Sequence, residues 1–199
     1  INPSGSEAPI KPEYMLRDHK NETIYIVTRA TRGSGTDLDY LRILTVSISK
    51  KIVDKIRFPS ENVIMEDAFS QNLFDVQSIG KMPEQRAHKA GAHLLLLTEV
   101  QEYEMNKVHA RNYYEGKVAV RSALIDLETN TVLWPVKGDS KKFAAEVALE
   151  TDGRKVANGR LSAAIAHCIT RSLYPCPKSG YRCADEKQSV QNVLDGIEN

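Results

Sequence analysis

Hydrophobic residues recur along the chain with two periods, one typical of strands and the other of helices. Residues 23–30 (TIYIVTRA) are β-branched and aromatic, which predicts a first strand. In residues 38–56, leucine and isoleucine recur every three or four positions, which predicts an amphipathic helix with a capping-box-like start at Thr36. Residues 62–65 (NVIM) predict a short second strand. A strand, a helix and a strand of these lengths are typical of a right-handed parallel unit.

The middle of the chain predicts a short helix followed by paired strands. Pro83 suits the first position of a helix, and Gly91 suits the residue just beyond its end. Residues 93–105 (HLLLLTEVQEYEM) begin as a fully buried strand and become an alternating one. Residues 116–128 (GKVAVRSALIDLE) alternate throughout, and the positions expected to share one face are Val118, Val120, Ser122 and Leu124.

The last elements are a returning strand and a closing helix. A tight turn through Asn130 leads into residues 131–136 (TVLWPV), which predict the next strand. Residues 141–149 (KKFAAEVAL) either extend this strand or form one of their own. Helical spacing then predicts a long helix from about 154 to 174, with its apolar side formed by Val156, Leu161, Ala164, Ile165, Cys168, Ile169 and Leu173.

These elements predict an α/β fold built as a two-layer sandwich. Helices are expected to pack on a mixed sheet in the order β-α-β-α-β-β-β-α, with an antiparallel C-terminal meander. Residues 1–22 contain three prolines and no periodicity, so they are expected to be a flexible linker or tether that folding does not need. Residues 23–175 form the single α/β domain, and residues 176–199 form a C-terminal extension that can contain a short helix.

The composition excludes several classes of function. The 27 lysines and arginines nearly cancel the 26 aspartates and glutamates, so no overall field attracts nucleic acid or a membrane surface. No apolar run approaches the roughly 18 residues that cross a bilayer. The loop at residues 32–37 (RGSGTD) lies between a strand and a helix but lacks the spacing of a phosphate-binding loop, and no other motif indicates a cofactor.

The apolar strands and one turn resemble those of a group of bacterial envelope proteins. A small residue and a glycine (Ala90 and Gly91) precede the apolar strand at 94–97, and residues 124–134 read L-I-D-L-x-T-x-x-V-L-W before an alanine-rich closing helix. Over residues 23–175 this pattern resembles the curli-assembly lipoprotein family, the lipoproteins that activate penicillin-binding proteins, and the N-terminal domain of the periplasmic Tol-system propeller protein. Asn130 stands where these proteins usually have glycine, and asparagine tolerates the left-handed backbone.

The resemblance implies a non-enzymatic interaction or assembly domain of the bacterial cell envelope. Such a domain is periplasmic, often tethered to the outer membrane through a lipid on an upstream cysteine that this chain does not contain. Its partner would be another envelope protein. No counterpart of the membrane-spanning hairpins of the curli family is found, which argues against pore formation. The alternative is a small hydrolase or ligand-binding enzyme that uses the strand glutamates Glu99, Glu102 and Glu104.

Cys176 and Cys183 flank a short segment with proline and glycine, and the chain has one further cysteine, Cys168. In the oxidising compartment that the resemblance implies, a Cys176–Cys183 disulfide is favoured over two free thiols. A metal site using these residues with His167 is the third interpretation, although no C-x-x-C motif supports it. Cys168 is in register with the apolar side of the closing helix and is expected to be a buried core residue.

The expected hairpin tip at residues 109–117 contains a candidate contact surface. Arg111, Tyr113 and Tyr114 are residue types that dominate the energetics of protein interfaces. They are therefore predicted to anchor a partner protein. The alternative is an ordinary amphipathic hairpin with no binding role.

Overall fold

The helices and strands lie close to the predicted segments, with one strand more than predicted. A computed structural model describes residues 8–66, 83–108 and 112–178. The strands are β1 (Ile24–Ala30), β2 (Val63–Met65), β3 (Leu94–Val108), β4 (Tyr113–Asp126), β5 (Thr131–Trp134) and β6 (Lys141–Glu150). The helices are α1 (Leu38–Lys51), α2 (Pro83–Lys89) and α3 (Arg154–Thr170). In this part of the chain no helix is long and apolar enough to cross a membrane.

The strands form an open, mixed six-stranded sheet in which five strands follow the order β2-β1-β3-β4-β5 and β6 also pairs with β4. Strand β1 is parallel to β2 and β3, whereas β4 is antiparallel to β3, β5 and β6. The predicted order, with three strands before the last helix, is corrected here because residues 141–150 form a strand of their own. Strands β5 and β6 follow one another along the same edge of β4, since β3 occupies its other edge.

Most of the core lies between one face of the sheet and helices α1 and α3. Its largest fully buried side chains include Trp134, Tyr40 and Phe58. A smaller cluster lies on the opposite face, where Ala87 of α2 packs with Tyr25 and Leu95. Helices therefore lie on both faces of the sheet, and the two-layer prediction is wrong at this end. The reason is that β1 and the start of β3 are apolar at successive positions, so both of their faces need cover.

The N-terminal segment is docked on the domain, which corrects its prediction as a free tether. Leu16 is fully buried in the main core. The backbone amide of Ile10 donates to the Cys176 carbonyl at 2.8 Å. The Glu13 carboxylate accepts a 3.0 Å hydrogen bond from Nε1 of Trp134 and a further bond from Lys141. Residues 1–7 lie outside the described residues, so the prediction stands only for them.

Local signals explain where α1 begins and ends. Asp37, rather than Thr36, is the N-cap, because its carboxylate accepts a 2.7 Å hydrogen bond from the Tyr40 amide. The helix continues as a π-helical turn over Ile52–Ile56 and stops at Arg57, whose φ is 62°. Together these two segments cover the predicted range 38–56. At the predicted turn before β5, Asn130 has a φ of 54°. This is the left-handed backbone conformation expected at a position where the similar proteins have glycine.

Candidate interaction surfaces

The loop between β1 and α1 is fixed against β3 and places the start of α1. A bulge interrupts the pairing of β3 with β4 between Val100 and Glu102. The Thr31 amide donates to the Val100 carbonyl at 2.9 Å, and the Tyr103 amide donates to the Ser34 carbonyl at 2.8 Å. Gly35 has a φ of 75°, and a Cβ there would lie 2.9 Å from the Tyr103 carbonyl oxygen. Gly35 thus permits a close backbone approach between this loop and β3.

A groove of about 620 Å³ lies between the start of α1 and the start of α3. We call it the helix groove. Its lining contains the apolar side chains Ile43 and Val46, and Val46 is 49% exposed. Charged and polar groups complete the lining, namely Asp37, Asp39, Arg42, Ser47, Arg154, Lys155 and Asn158. An apolar floor with a charged rim is the usual anatomy of a protein contact surface.

Buried polar contacts hold the two helices of the helix groove in place. The Tyr103 hydroxyl donates a 2.7 Å hydrogen bond to Oδ1 of Asn158, and both residues are buried. The rings of Tyr103 and Tyr40 lie 4.2 Å apart between centroids. At the rim, Nη2 of Arg154 lies 3.5 Å from Oδ2 of Asp37. Burial raises the pKa of Tyr103, so its hydroxyl stays protonated as a donor at neutral pH.

The predicted hairpin tip is only in part a surface. Tyr114 is buried in the main core, which corrects its assignment as an exposed anchor. Tyr113 is half-buried, and Arg111 lies outside the described residues. The signal that locates Tyr114 is the alternation of β4 itself. It lies two and four residues before Gly116 and Val118, which share the core-facing side.

The strand glutamates are ion-pair partners on the outer face of the sheet. Nζ of Lys117 lies 3.1 Å from Oε1 of Glu102 and 3.4 Å from Oε2 of Glu104. Both carboxylates are more than half exposed, so neither lies in an enclosed pocket. Glu99 accepts a 2.8 Å hydrogen bond from Nε of Arg29 on the neighbouring strand.

Four charged residues form a row across the outer face of the sheet. The cross-strand partners are Arg29 with Glu99, Glu99 with Arg121, and Arg121 with Lys142. We call these four residues the charged row. It contains three cations and one anion, and it ends on β6. Sequence reasoning missed it because the row depends on the pairing of four strands.

The cysteines differ from the predicted pairing. Cys176 is a free, buried thiol, and Cys168 in α3 is disulfide-bonded, so the predicted Cys176–Cys183 bridge is wrong. Burial is the main cause that raises the pKa of the Cys176 thiol. Cys183 lies outside the described residues, as does the extension from residue 179 onward. Among the described residues, no group of three or more histidine, cysteine, aspartate or glutamate side chains is placed to hold a metal ion.

No protein-family model matches the sequence, and no curated protein matches it significantly. Solved structures that the chain matches at low similarity include a PelC dodecamer from Paraburkholderia phytofirmans, at 13% identity and a TM-score of 0.42, over 84% of this chain and 96% of that one. The lipoprotein GNA1162 from Neisseria meningitidis is 16% identical, with a TM-score of 0.41 over 76% of this chain and 99% of that one. TolB from Acinetobacter baumannii is 14% identical, with a TM-score of 0.30 over 87% of this chain and 31% of that one. The similar structures thus include bacterial lipoproteins, while the curli-assembly and penicillin-binding-protein activator resemblances stay predictions.

Proposed function

We propose that this chain is a non-enzymatic interaction or assembly domain of the bacterial cell envelope that contacts another envelope protein through the helix groove. The observation that carries the proposal is the lining of this groove. Val46 exposes half of its side chain beside Ile43. A partner side chain that covered these two residues would remove their apolar surface from water. Each Å² of apolar surface buried in this way stabilises the complex by roughly 25 cal/mol.

The charged residues at the rim of the helix groove can orient a bound partner and make the contact specific. Three cations, Arg42, Arg154 and Lys155, and two carboxylates, Asp37 and Asp39, line the groove beside Ile43 and Val46, and Nη2 of Arg154 lies 3.5 Å from Oδ2 of Asp37. Charges at the edge of an interface mainly set the association rate and exclude wrong partners. The buried hydrogen bond from Tyr103 fixes Asn158 in the groove lining, which limits the ordering that binding requires.

The disulfide at Cys168 supports a periplasmic location. Disulfides persist in oxidising compartments such as the periplasm and are rare in the cytosol. Cys168 is 1% exposed, so this half of the bond lies in the folded interior. The resemblance of residues 23–175 to envelope lipoproteins adds a lipid tether to the outer membrane, attached upstream of this chain, as part of the proposal.

Photo-crosslinking in living cells tests the proposal. A photoreactive amino acid is placed at Val46 in the full-length gene product, with Val136, an exposed valine that does not line the helix groove, as the matched control. We expect a discrete crosslinked envelope protein from position 46 and none from position 136. The same pattern from both positions, or no product from position 46, contradicts the proposal. Fractionation of the same cells tests the location. Recovery of the protein in the cytosolic fraction would contradict the proposed envelope location.

A further inference from the structure

Strand β6 has one partnered and one open edge in the described part of the chain. It pairs with β4 over all ten of its residues without a bulge. Within residues 8–66, 83–108 and 112–178, no backbone hydrogen bond joins Lys142–Glu150 to any segment besides β4. A regular edge strand of this length, without proline, is a template for pairing with another strand.

The charges on the outer face of β6 are unbalanced at two positions. Lys142 lies directly opposite Arg121, and the only carboxylate of the charged row, Glu99, is bound to Arg29. Like charges directly opposite each other destabilise a sheet, so this end of β6 has an excess of positive charge. Neither Lys142 nor Arg121 has a salt bridge in the described residues.

The opposite imbalance occurs four residues further along the same strand. Glu146 lies opposite Lys117, whose Nζ is already within 3.1 Å and 3.4 Å of Glu102 and Glu104. Three glutamates therefore share one lysine as ion-pair or cross-strand partner, and this end has an excess of negative charge. Ala144, exposed and small, lies midway between Lys142 and Glu146 on the same face.

We propose that the partner of β6 is β6 of a second copy of this chain, paired antiparallel about a two-fold axis at Ala144. An axis there places each Lys142 opposite Glu146 of the other copy, because their positions are equally far from Ala144. The dimer then contains two Lys142–Glu146 pairs, one on each side of the axis. Each pair places the unbalanced positive charge of one copy beside the unbalanced negative charge of the other. Moving the axis to Glu146 would place two glutamates opposite each other, which disfavours that register. The proposal depends on neither the helix groove nor the compartment.

Charge reversal tests this pairing in solution. Sedimentation velocity on the full chain should show a concentration-dependent dimer. Lys142→Glu and Glu146→Lys should each weaken dimerisation about tenfold, since each converts two attractive pairs into two repulsive ones. The double variant, which restores opposite charges with their signs exchanged, should dimerise like the unaltered protein. Circular dichroism confirms that all variants fold. A monomer at every soluble concentration, or a double variant weaker than both single variants, overturns the proposal.

A cysteine pair tests the register. Directly opposite residues of an antiparallel pair have Cβ atoms about 4.5–5.5 Å apart, close enough for a disulfide after a small adjustment. Ala144→Cys should therefore form a covalent dimer under mild oxidation. Ala148→Cys is the matched control on the same strand and face, and it should remain monomeric. A crosslink at position 148 without one at position 144 would overturn the assigned axis.

Discussion

The hydroxyl of Tyr103 and the amide oxygen of Asn158 form a buried 2.7 Å hydrogen bond between β3 and α3. This contact joins the sheet to one wall of the helix groove, while the Tyr103 ring packs against Tyr40 of α1. A single tyrosine thus touches both helices that form the groove. The geometry of the proposed contact surface depends on it.

Replacing Tyr103 by phenylalanine removes the hydroxyl and keeps the ring. The Asn158 oxygen then lacks this donor, and we expect the free energy of unfolding to fall by about 1–3 kcal/mol. Urea denaturation measures the change. Tyr113→Phe, at a half-buried position, is the control and should change stability by less than about 0.5 kcal/mol. Equal effects at both positions would show that the Tyr103 bond has no special role.

Leu16 should be essential to the fold although it lies in the segment predicted as a tether. It is fully buried, so Leu16→Ala should lower the free energy of unfolding by about 2–5 kcal/mol. Lys11→Ala, at an exposed position of the same segment, should be close to neutral. Chemical denaturation of both variants provides the comparison. Unchanged stability in Leu16→Ala would restore the tether interpretation.

The single tryptophan reports directly on how the N-terminal segment docks. Nε1 of the fully buried Trp134 donates to the Glu13 carboxylate at 3.0 Å. Glu13→Ala leaves this donor without its partner, so we expect a loss of about 1–3 kcal/mol and a shift of the tryptophan emission. Glu13→Gln keeps an acceptor and should lose less. Emission and stability unchanged in Glu13→Ala would show that the segment docks without this bond.

Among the described cysteines, Cys176 should be the free thiol of the oxidised chain, and its alkylation in the folded protein should be slow. Alkylation of denatured, unreduced protein should modify Cys176 and leave Cys168 unmodified, as peptide mapping by mass spectrometry will show. In the folded protein, burial raises the pKa of this thiol, so at pH 8 less of it is the reactive thiolate. As the pH is raised, the alkylation rate of Cys176 should therefore increase at a higher pH than the alkylation rate of a small-molecule thiol in solution. Label on Cys168 would contradict the assignment.

The paired strands could be predicted because their pattern is local. In β4, Val118, Val120 and Leu124 are all buried, as two-residue alternation requires. The closing helix was also predictable, except that Val156 is 46% exposed near its first turn. Its neighbours Ala157 and Asn158 are buried, so Val156 lies on the exposed side of the first turn of α3.

The remaining features depend on tertiary contacts that local patterns do not encode. Leu16 is an apolar residue in a proline-containing segment, so the local pattern does not predict its burial. It is buried because distant elements of the chain form the main core on which it packs. The cysteine pairing depends on distances in space, and Cys168 gave no signal beyond its helical register. The helix groove is likewise formed by residues more than 100 positions apart, such as Asp37 and Arg154.

The most direct test of the central claim is the effect of one charge in the helix groove on partner recovery from native envelopes. Val46→Asp should reduce recovery of the crosslinked envelope protein about tenfold or more, because a buried, unpaired carboxylate opposes the contact. Val136→Asp introduces the same charge at a position that is 74% exposed, outside the groove lining, and should leave recovery unchanged. Thermal melts establish that both variants fold. Full recovery with Val46→Asp, or equal losses in the two variants, would contradict the assignment of the helix groove as the contact surface.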